Sequence, residues 1–253
     1  MLIAFTRAVP RSIVDCELTH IDREPIDWAR AVEQHRAYED ALRSLGCEVR
    51  RVAAAPDHPD SVFIEDTAIV LDECAIITRP GALSRRGEVN AVADALRVHR
   101  ELRYVGEPAT LDGGDVLRVG KRLWVGLSTR SNAAGARHLA DALAPFGYRV
   151  DTIAVRGALH LKSVVSALPD GRVLLDPQKI DARTFGAGSL CIHPDESIAA
   201  NVLAVDDTVL VPAAAPRTCQ LLEHEGYAVL PVDASELAKA EGGLTCCSLL
   251  LRG

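Results

Sequence analysis

The sequence has no Gly-x-Gly-x-x-Gly, no phosphate-binding loop ending in Gly-Lys-Ser/Thr and no His-Glu-x-x-His. Nucleotide binding and zinc-protease chemistry therefore have no motif to rest on. Nor is there a Cys-x-x-Cys. The seven cysteines form an odd, irregularly spaced set, which reads as reduced thiols in a cytoplasmic protein, not a disulfide framework. No apolar run approaches the ~18–20 residues of a membrane span. Arg7 interrupts the N-terminal apolar stretch after six residues, which leaves no core for a secretory signal. Positive charge is in deficit, with 28 Lys and Arg against 35 Asp and Glu for a net −7. Nucleic acid and anionic membranes are thus not expected partners. Aromatics are 4% and methionine occurs once, so a core must come from Ala, Val, Leu and Ile. At 48% apolar over 253 residues the chain has ample material for one large domain or two small ones.

Val-rich runs alternate with Ala- and Leu-rich segments of helical period, the pattern of an α/β chain. Helices are expected over Trp28–Leu45, Ser84–His99, Ser131–Phe146 and Pro216–Glu225. Gly46, Gly147 and Gly226 stop three of them, and Pro216 opens the last. The strands come mainly as close pairs split at Asp72-Glu73, Gly120-Lys121, Asp170-Gly171 and Asp206-Asp207, four hairpins by their turn chemistry. A fifth pair forms if CCSLLLRG meets MLIAFTRAVP. Three units share the order helix, glycine, strand, loop, hairpin. Repeats of this kind imply radial units closed by the two chain ends, giving one domain over 1–253. A doubly wound sheet leaves the repeated hairpins unexplained. In the radial arrangement each hairpin starts at a common centre, where Glu65-Asp66, Asp112, His160 and Cys246 gather.

Each of these residues has an ordinary reading beside the chemical one. Cys246 in GGLTCCS is either a small buried hydrophobe or a nucleophile, and strand alternation sends Cys247 to the other face. His160 in GALHLKSVV is either a half-buried ring or the base that activates the thiol. Asp112 in TLDGGDVL fits a turn as well as it fits a carboxylate that orients the histidine. Asp60, Glu65 and Asp66 in PDSVFIEDTAI crowd three acids around apolar residues. Buried carboxylates need partners, either Lys and Arg from elsewhere or a cationic ligand. Arg85 in SRRGE reads as part of a solvated charge run. Arg130 in STRSN stands at a helix entrance, where its charge is unfavourable and a ligand carboxylate suits it better. The polar segment CELTHIDREPID is long enough for a lid.

Taken in order, PDSVFIEDTAI, AIITRPGALSRRGEV, ATLDGGDVL, VGLSTRSN, LHLKS, AANVL and GGLTCCS resemble the dimethylarginine dimethylaminohydrolases of the guanidino-modifying pentein superfamily. The match runs from about residue 5 to 250. The resemblance implies a five-bladed α/β propeller of ββαβ units and the conversion of Nω-methylated arginine to L-citrulline and methylated amine, with no cofactor and no metal. It implies Cys246 as nucleophile, His160 as acid and base, and Asp112 as the residue orienting it. Asp60, Glu65 and Asp66 would contact substrate, and Arg85 and Arg130 would hold its carboxylate. The backbone carbonyls of Leu18, in the lid, and Ala240 would meet its amine. Rival readings are an arginine or agmatine deiminase and a non-catalytic amino-acid binder. The deiminases resembled here carry an acid two residues after the histidine, where this chain has Lys162. Acids around Cys246 are expected to raise its thiol pKa, so that the bound cation promotes ionisation. A homodimer is compatible with the sequence.

Overall fold

The computed structural model describes residues 1–186 and 188–253. Among these, five three-stranded sheets follow one recipe, an antiparallel hairpin whose second strand pairs in parallel with a third reached by a crossover. The hairpins are Ala68–Val70 with Cys74–Ile77, Val116–Val119 with Arg122–Leu127, Val165–Ala167 with Val173–Leu175, and Leu203–Val205 with Thr208–Pro212. Their outer strands are Glu101–Tyr104, Arg149–Ala154, Leu190–Cys191 and Ala228–Val232. All four turns fall where the turn residues place them. The remaining sheet joins the chain ends. Leu249–Arg252 runs antiparallel to Leu2–Thr6, with Leu2 opposite Arg252, and Leu2–Thr6 runs parallel to Glu48–Arg51. The Gly253 N–H donates to the Met1 carbonyl at 2.9 Å. The fold is the five-bladed α/β propeller. No helix among the described residues is long and apolar enough to cross a membrane.

Local chemistry sets the crossovers. The helix Trp28–Ser44 is capped by Asp27, which accepts from the Arg30 N–H, and it buries Ala31, Tyr38 and Leu42. Gly46 beyond its end has φ +84°, the left-handed conformation that glycine adopts without steric cost. Asn132 caps Ala133–Leu143 by accepting from the Gly135 N–H, and Pro216 occupies the first turn of Pro216–His224. The segment expected as one helix over Ser84–His99 is instead a 3₁₀ stretch, Leu83–Glu88, followed by an α-helix, Val89–Leu96. Three residues per turn put Arg85 and Glu88 on the same edge, and both are buried there. Among its described residues the fourth crossover has only the 3₁₀ turn Ala182–Phe185.

A short 3₁₀ turn precedes every hairpin: Ile64–Thr67, Gly113–Asp115, Leu161–Ser163, Ser197–Ala200 and Thr245–Cys247. The turns converge on the propeller axis. Because a 3₁₀ turn points its side chains and amides at close range, this ring is where polar chemistry concentrates.

Candidate active site

His160 and Asp112 each sit at the residue just before one of these turns, in extended conformation. The His160 Nε2 lies 3.1 Å from the Asp112 Oδ2, and its Nδ1 lies 3.8 Å from the Asp66 Oδ1. Asp112 is itself fixed. Its Oδ1 accepts the Gly81 N–H at 2.9 Å, and its own N–H donates to the Ser131 Oγ at 3.0 Å. Asp66 accepts the Gly114 N–H at 2.9 Å. A Cβ on Gly114 would stand 2.6 Å from the Asp66 Oδ1 and 2.8 Å from the His160 Nδ1, so the backbone must approach without a side chain here. Asp115 completes the frame. It accepts the Leu161 N–H at 2.9 Å and the Ser128 Oγ–H at 2.6 Å, which pins the turn that carries His160.

Cys246 occupies the last of the five turns, where its Sγ accepts the Gly243 N–H at 3.4 Å. Of the residues at the hairpin starts, Asp66, His160 and Cys246 line one cavity, together with Asp60, Arg130 and Ala240. Cys247 is buried on another side, with its thiol toward the Gly243 carbonyl at 3.6 Å. The cavity is narrow, its free volume of about 20 Å³ being enough for a water molecule and too small for an amino acid. The segment around residues 16–22 closes it. Glu241 accepts the N–H groups of Thr19 and His20 at 2.6 and 2.8 Å, and Arg23 donates to the Val14 carbonyl at 2.7 Å.

Leu18 packs its side chain against the core that contains Tyr38, Phe63 and Leu244, and its neighbour Glu17 lines the cavity. Two residues stand differently from the expectation. Glu65 is held by Lys162 and by the Thr245 Oγ–H at 2.7 Å, and it borders a separate chamber on the far side of the ring. Arg85 borders the site but is committed elsewhere. Its Nη1 pairs with Asp66, its Nε and Nη2 bind Glu88 at 3.1 and 2.8 Å, and Nη2 also meets the Asp60 and Phe63 carbonyls. It is a buried structural cation that orients Asp66, not part of a solvated charge run. Sequence reasoning missed Glu17, Glu88 and Asp115. Glu88 and Asp115 stand in the very motifs SRRGE and LDGGD, and their signal was an acid beside a residue already singled out.

The family model described as "N,N dimethylarginine dimethylhydrolase, eukaryotic" matches residues 19–183. An N(G),N(G)-dimethylarginine dimethylaminohydrolase from Streptomyces coelicolor is 44% identical over 236 residues, covering 93% of this chain and 91% of that protein. The chain belongs to the dimethylarginine dimethylaminohydrolase family. Two solved structures of family members superpose closely. A cysteine-to-serine mutant of the Pseudomonas aeruginosa enzyme complexed with citrulline gives a TM-score of 0.93 at 34% identity, over 98% of both chains. A histidine-to-glycine variant in an adduct with S-methyl-L-thiocitrulline gives 0.94 at 34% identity, over 99% of this chain and 100% of that one.

Electrostatics in this dimethylarginine dimethylaminohydrolase fold divide the site sharply. Burial alone would discharge the His160 ring, but Asp66, Asp112 and Asp115 outweigh it and lift the imidazole to about 9. Burial acts with Glu65 and Asp66 on Cys246, and its thiol is pushed up to about 12. Asp66 moves the other way. Burial opposes its charge, yet His160 and Arg85 hold it below the usual carboxylate range. Burial also raises Asp60 to about 6. The resting site is thus a thiol beside an imidazolium and an ionised Asp66. Ligand atoms of Asp66, Asp112 and His160 lie within 4.8 Å of one another, close enough for a divalent ion to bridge. Such an ion would have to displace the imidazolium proton and compete with Arg85.

The raised His160 pKa has a stability consequence. Its folded value of about 9 exceeds the ordinary 6.5, so the charged ring contributes stability fully below pH 6.5 and loses it as pH climbs through 9. Linkage makes this worth roughly 3 kcal/mol. Calorimetric Tm is expected to fall on the order of 10 °C from pH 6.5 to 9, with a flatter profile for His160→Gln. The Cys246 contribution lies above this window, because it fades only from pH 9 to 12. Parallel profiles for the two proteins would mean that the ring is not charged in the folded state.

Proposed function

We propose that this protein, acting as one domain over residues 1–253, hydrolyses asymmetric dimethylarginine and monomethylarginine to L-citrulline and dimethylamine or methylamine. The observation that carries the reading is the single narrow cavity where Cys246 and His160 meet an ionised Asp66. A guanidinium is a poor electrophile because its charge is delocalised. Asp66 offers that cation a fixed anionic partner, and the arriving positive charge offsets the acids that hold the Cys246 proton. The thiol then releases its proton to solvent and Sγ bonds to the guanidino carbon. His160 gives its proton to the departing dimethylamine as the C–N bond breaks. A water next attacks the thiouronium, the now neutral His160 takes one of its protons, and C–S cleavage passes the remaining hydroxyl proton to the departing sulfur, returning the thiol and citrulline. Asp112 keeps the ring aligned through both proton transfers.

The head of the substrate has its own partners in this reading. Its α-carboxylate goes to Arg130, and its ammonium goes to Asp60 and the carbonyls of Leu18 and Ala240. Arg85 acts through Asp66 and does not touch substrate. Lys162 gives the methylated substrates their advantage. It stands where the deiminases carry a second acid, and it is paired with Glu65, so one guanidino nitrogen has no charged partner, which costs unsubstituted arginine an interaction that a methylated nitrogen does not seek. The free thiol required of Cys246 suits a reducing cytoplasm.

The test is product analysis with asymmetric dimethylarginine, monomethylarginine and arginine in parallel. Citrulline and dimethylamine in equal amounts, with little ammonia from arginine, are expected. Ammonia from arginine as the main product would make the protein a deiminase. Citrulline binding without turnover of any substrate would make it a binding protein.

A further inference from the structure

We propose that Glu17 is a surrogate for the head group of an amino-acid substrate, competing for Arg130 with the α-carboxylate of any ligand that enters. Two contacts carry the inference. The Glu17 Oε2 lies 3.2 Å from the Arg130 Nη2, and the backbone N–H of the same residue donates to the Asp60 Oδ2 at 3.3 Å. One residue of the closing segment therefore puts a carboxylate on the buried guanidinium and an N–H on the buried carboxylate. Those are the two charges an α-amino acid would present, in complementary order. The Glu17 Oε1 also accepts from the Ser84 hydroxyl, which ties the arrangement to the rim.

The rest of the site makes this placement consequential. Arg85, the other guanidinium at the cavity, has every nitrogen engaged by Asp66, Glu88 and two carbonyls. Arg130 is thus the cation left to meet a ligand carboxylate, and its side chain is 10% exposed against 43% for Glu17. The Glu17 carboxylate and the α-carboxylate of a bound amino acid cannot both sit on the Arg130 guanidinium. Entry exchanges one carboxylate for another on Arg130. A ligand without a carboxylate leaves Glu17 on Arg130 and displaces only the amide on Asp60. Glu17 consequently sets the apparent affinity for α-amino acids and leaves that for their decarboxylated counterparts unchanged.

The assignment of methylarginine as substrate rests on the preceding section, so the experiment separates the two claims. In a Cys246→Ser background, calorimetry compares L-citrulline with N-carbamoylputrescine, its decarboxylated form, before and after Glu17→Gln. The expected result is tighter binding of citrulline by about fivefold, the scale of a part-exposed ion pair, with carbamoylputrescine unchanged. Steady-state kinetics of Glu17→Gln with dimethylarginine should place the same factor in KM and not in kcat. An equal gain for both ligands would reduce Glu17 to a general latch on the closing segment and overturn the proposal. An equal loss for both would make it a ligand for the ammonium and overturn it as well. If citrulline binding shifts as expected while the Cys246-containing protein turns over no methylarginine, the proposed activity fails and the role of Glu17 stands. If neither ligand binds and nothing is turned over, both fail.

Discussion

Cys246→Ser lowers the turnover of dimethylarginine by about 10⁴-fold or more, while citrulline binding stays within about threefold of the unmodified protein. The size of the loss follows from the chemistry and not from packing. Sγ and Oγ occupy nearly the same place, the Gly243 N–H reaches either atom, and the surrounding wall is unchanged. What is lost is a nucleophile whose proton a bound cation can dislodge. A thiol raised to about 12 remains within reach of that shift, whereas an alcohol does not. Cys247→Ser makes the matching control, because Cys247 points away toward a carbonyl and its replacement leaves turnover in place. Steady-state kinetics and citrulline calorimetry on the two variants measure the contrast. Retained turnover in Cys246→Ser would return this cysteine to the role of a small buried hydrophobe.

Arg85→Met destabilises the fold by roughly 3–5 kcal/mol, the cost of stranding buried partners without their cation. For a chain of this size that lowers Tm on the order of 10 °C. Asp66 and Glu88 are 2% exposed each, so neither carboxylate can turn to water when the guanidinium is gone. Activity falls with stability, since Asp66 loses one of the two cations that hold its charge and is no longer oriented toward a cationic substrate. Arg85→Lys restores little, because one ammonium cannot span the five oxygens that the planar fork reaches. Chemical denaturation read with substrate kinetics separates this from the role first expected of Arg85. A carboxylate ligand would give a raised KM at unchanged stability.

Much of this architecture is readable before any coordinate. Asp72-Glu73, Gly120-Lys121, Asp170-Gly171 and Asp206-Asp207 mark hairpins because turn residues act within a few bonds, and a left-handed glycine ends a helix for equally local reasons. The convergence of Asp66, Asp112, His160 and Cys246 was legible through the repeat, which gave equivalent places to residues of unlike chemistry. What stayed hidden depends on pairing at a distance. Nothing near Arg85 in sequence tells that Asp66, nineteen positions earlier, consumes one edge of it. Spacing likewise could not show that Lys162 would cross the ring to Glu65, or that Glu17 of the closing segment would reach Arg130. The helix expected over Ser84–His99 failed at its start for the same cause, since burying Arg85 and Glu88 together overrides local helical period.

The sheet that sews the two ends of the chain together is also the one that follows the nucleophile. Leu249–Arg252 begins three residues after Cys246, and Leu2–Thr6 leads through the 3₁₀ turn Arg11–Asp15 into the segment that closes the cavity. If that seam frays, the nucleophile and the cover over it go astray in the same event. Fraying there is expected to cost activity before it costs selectivity. The seam works as a fuse.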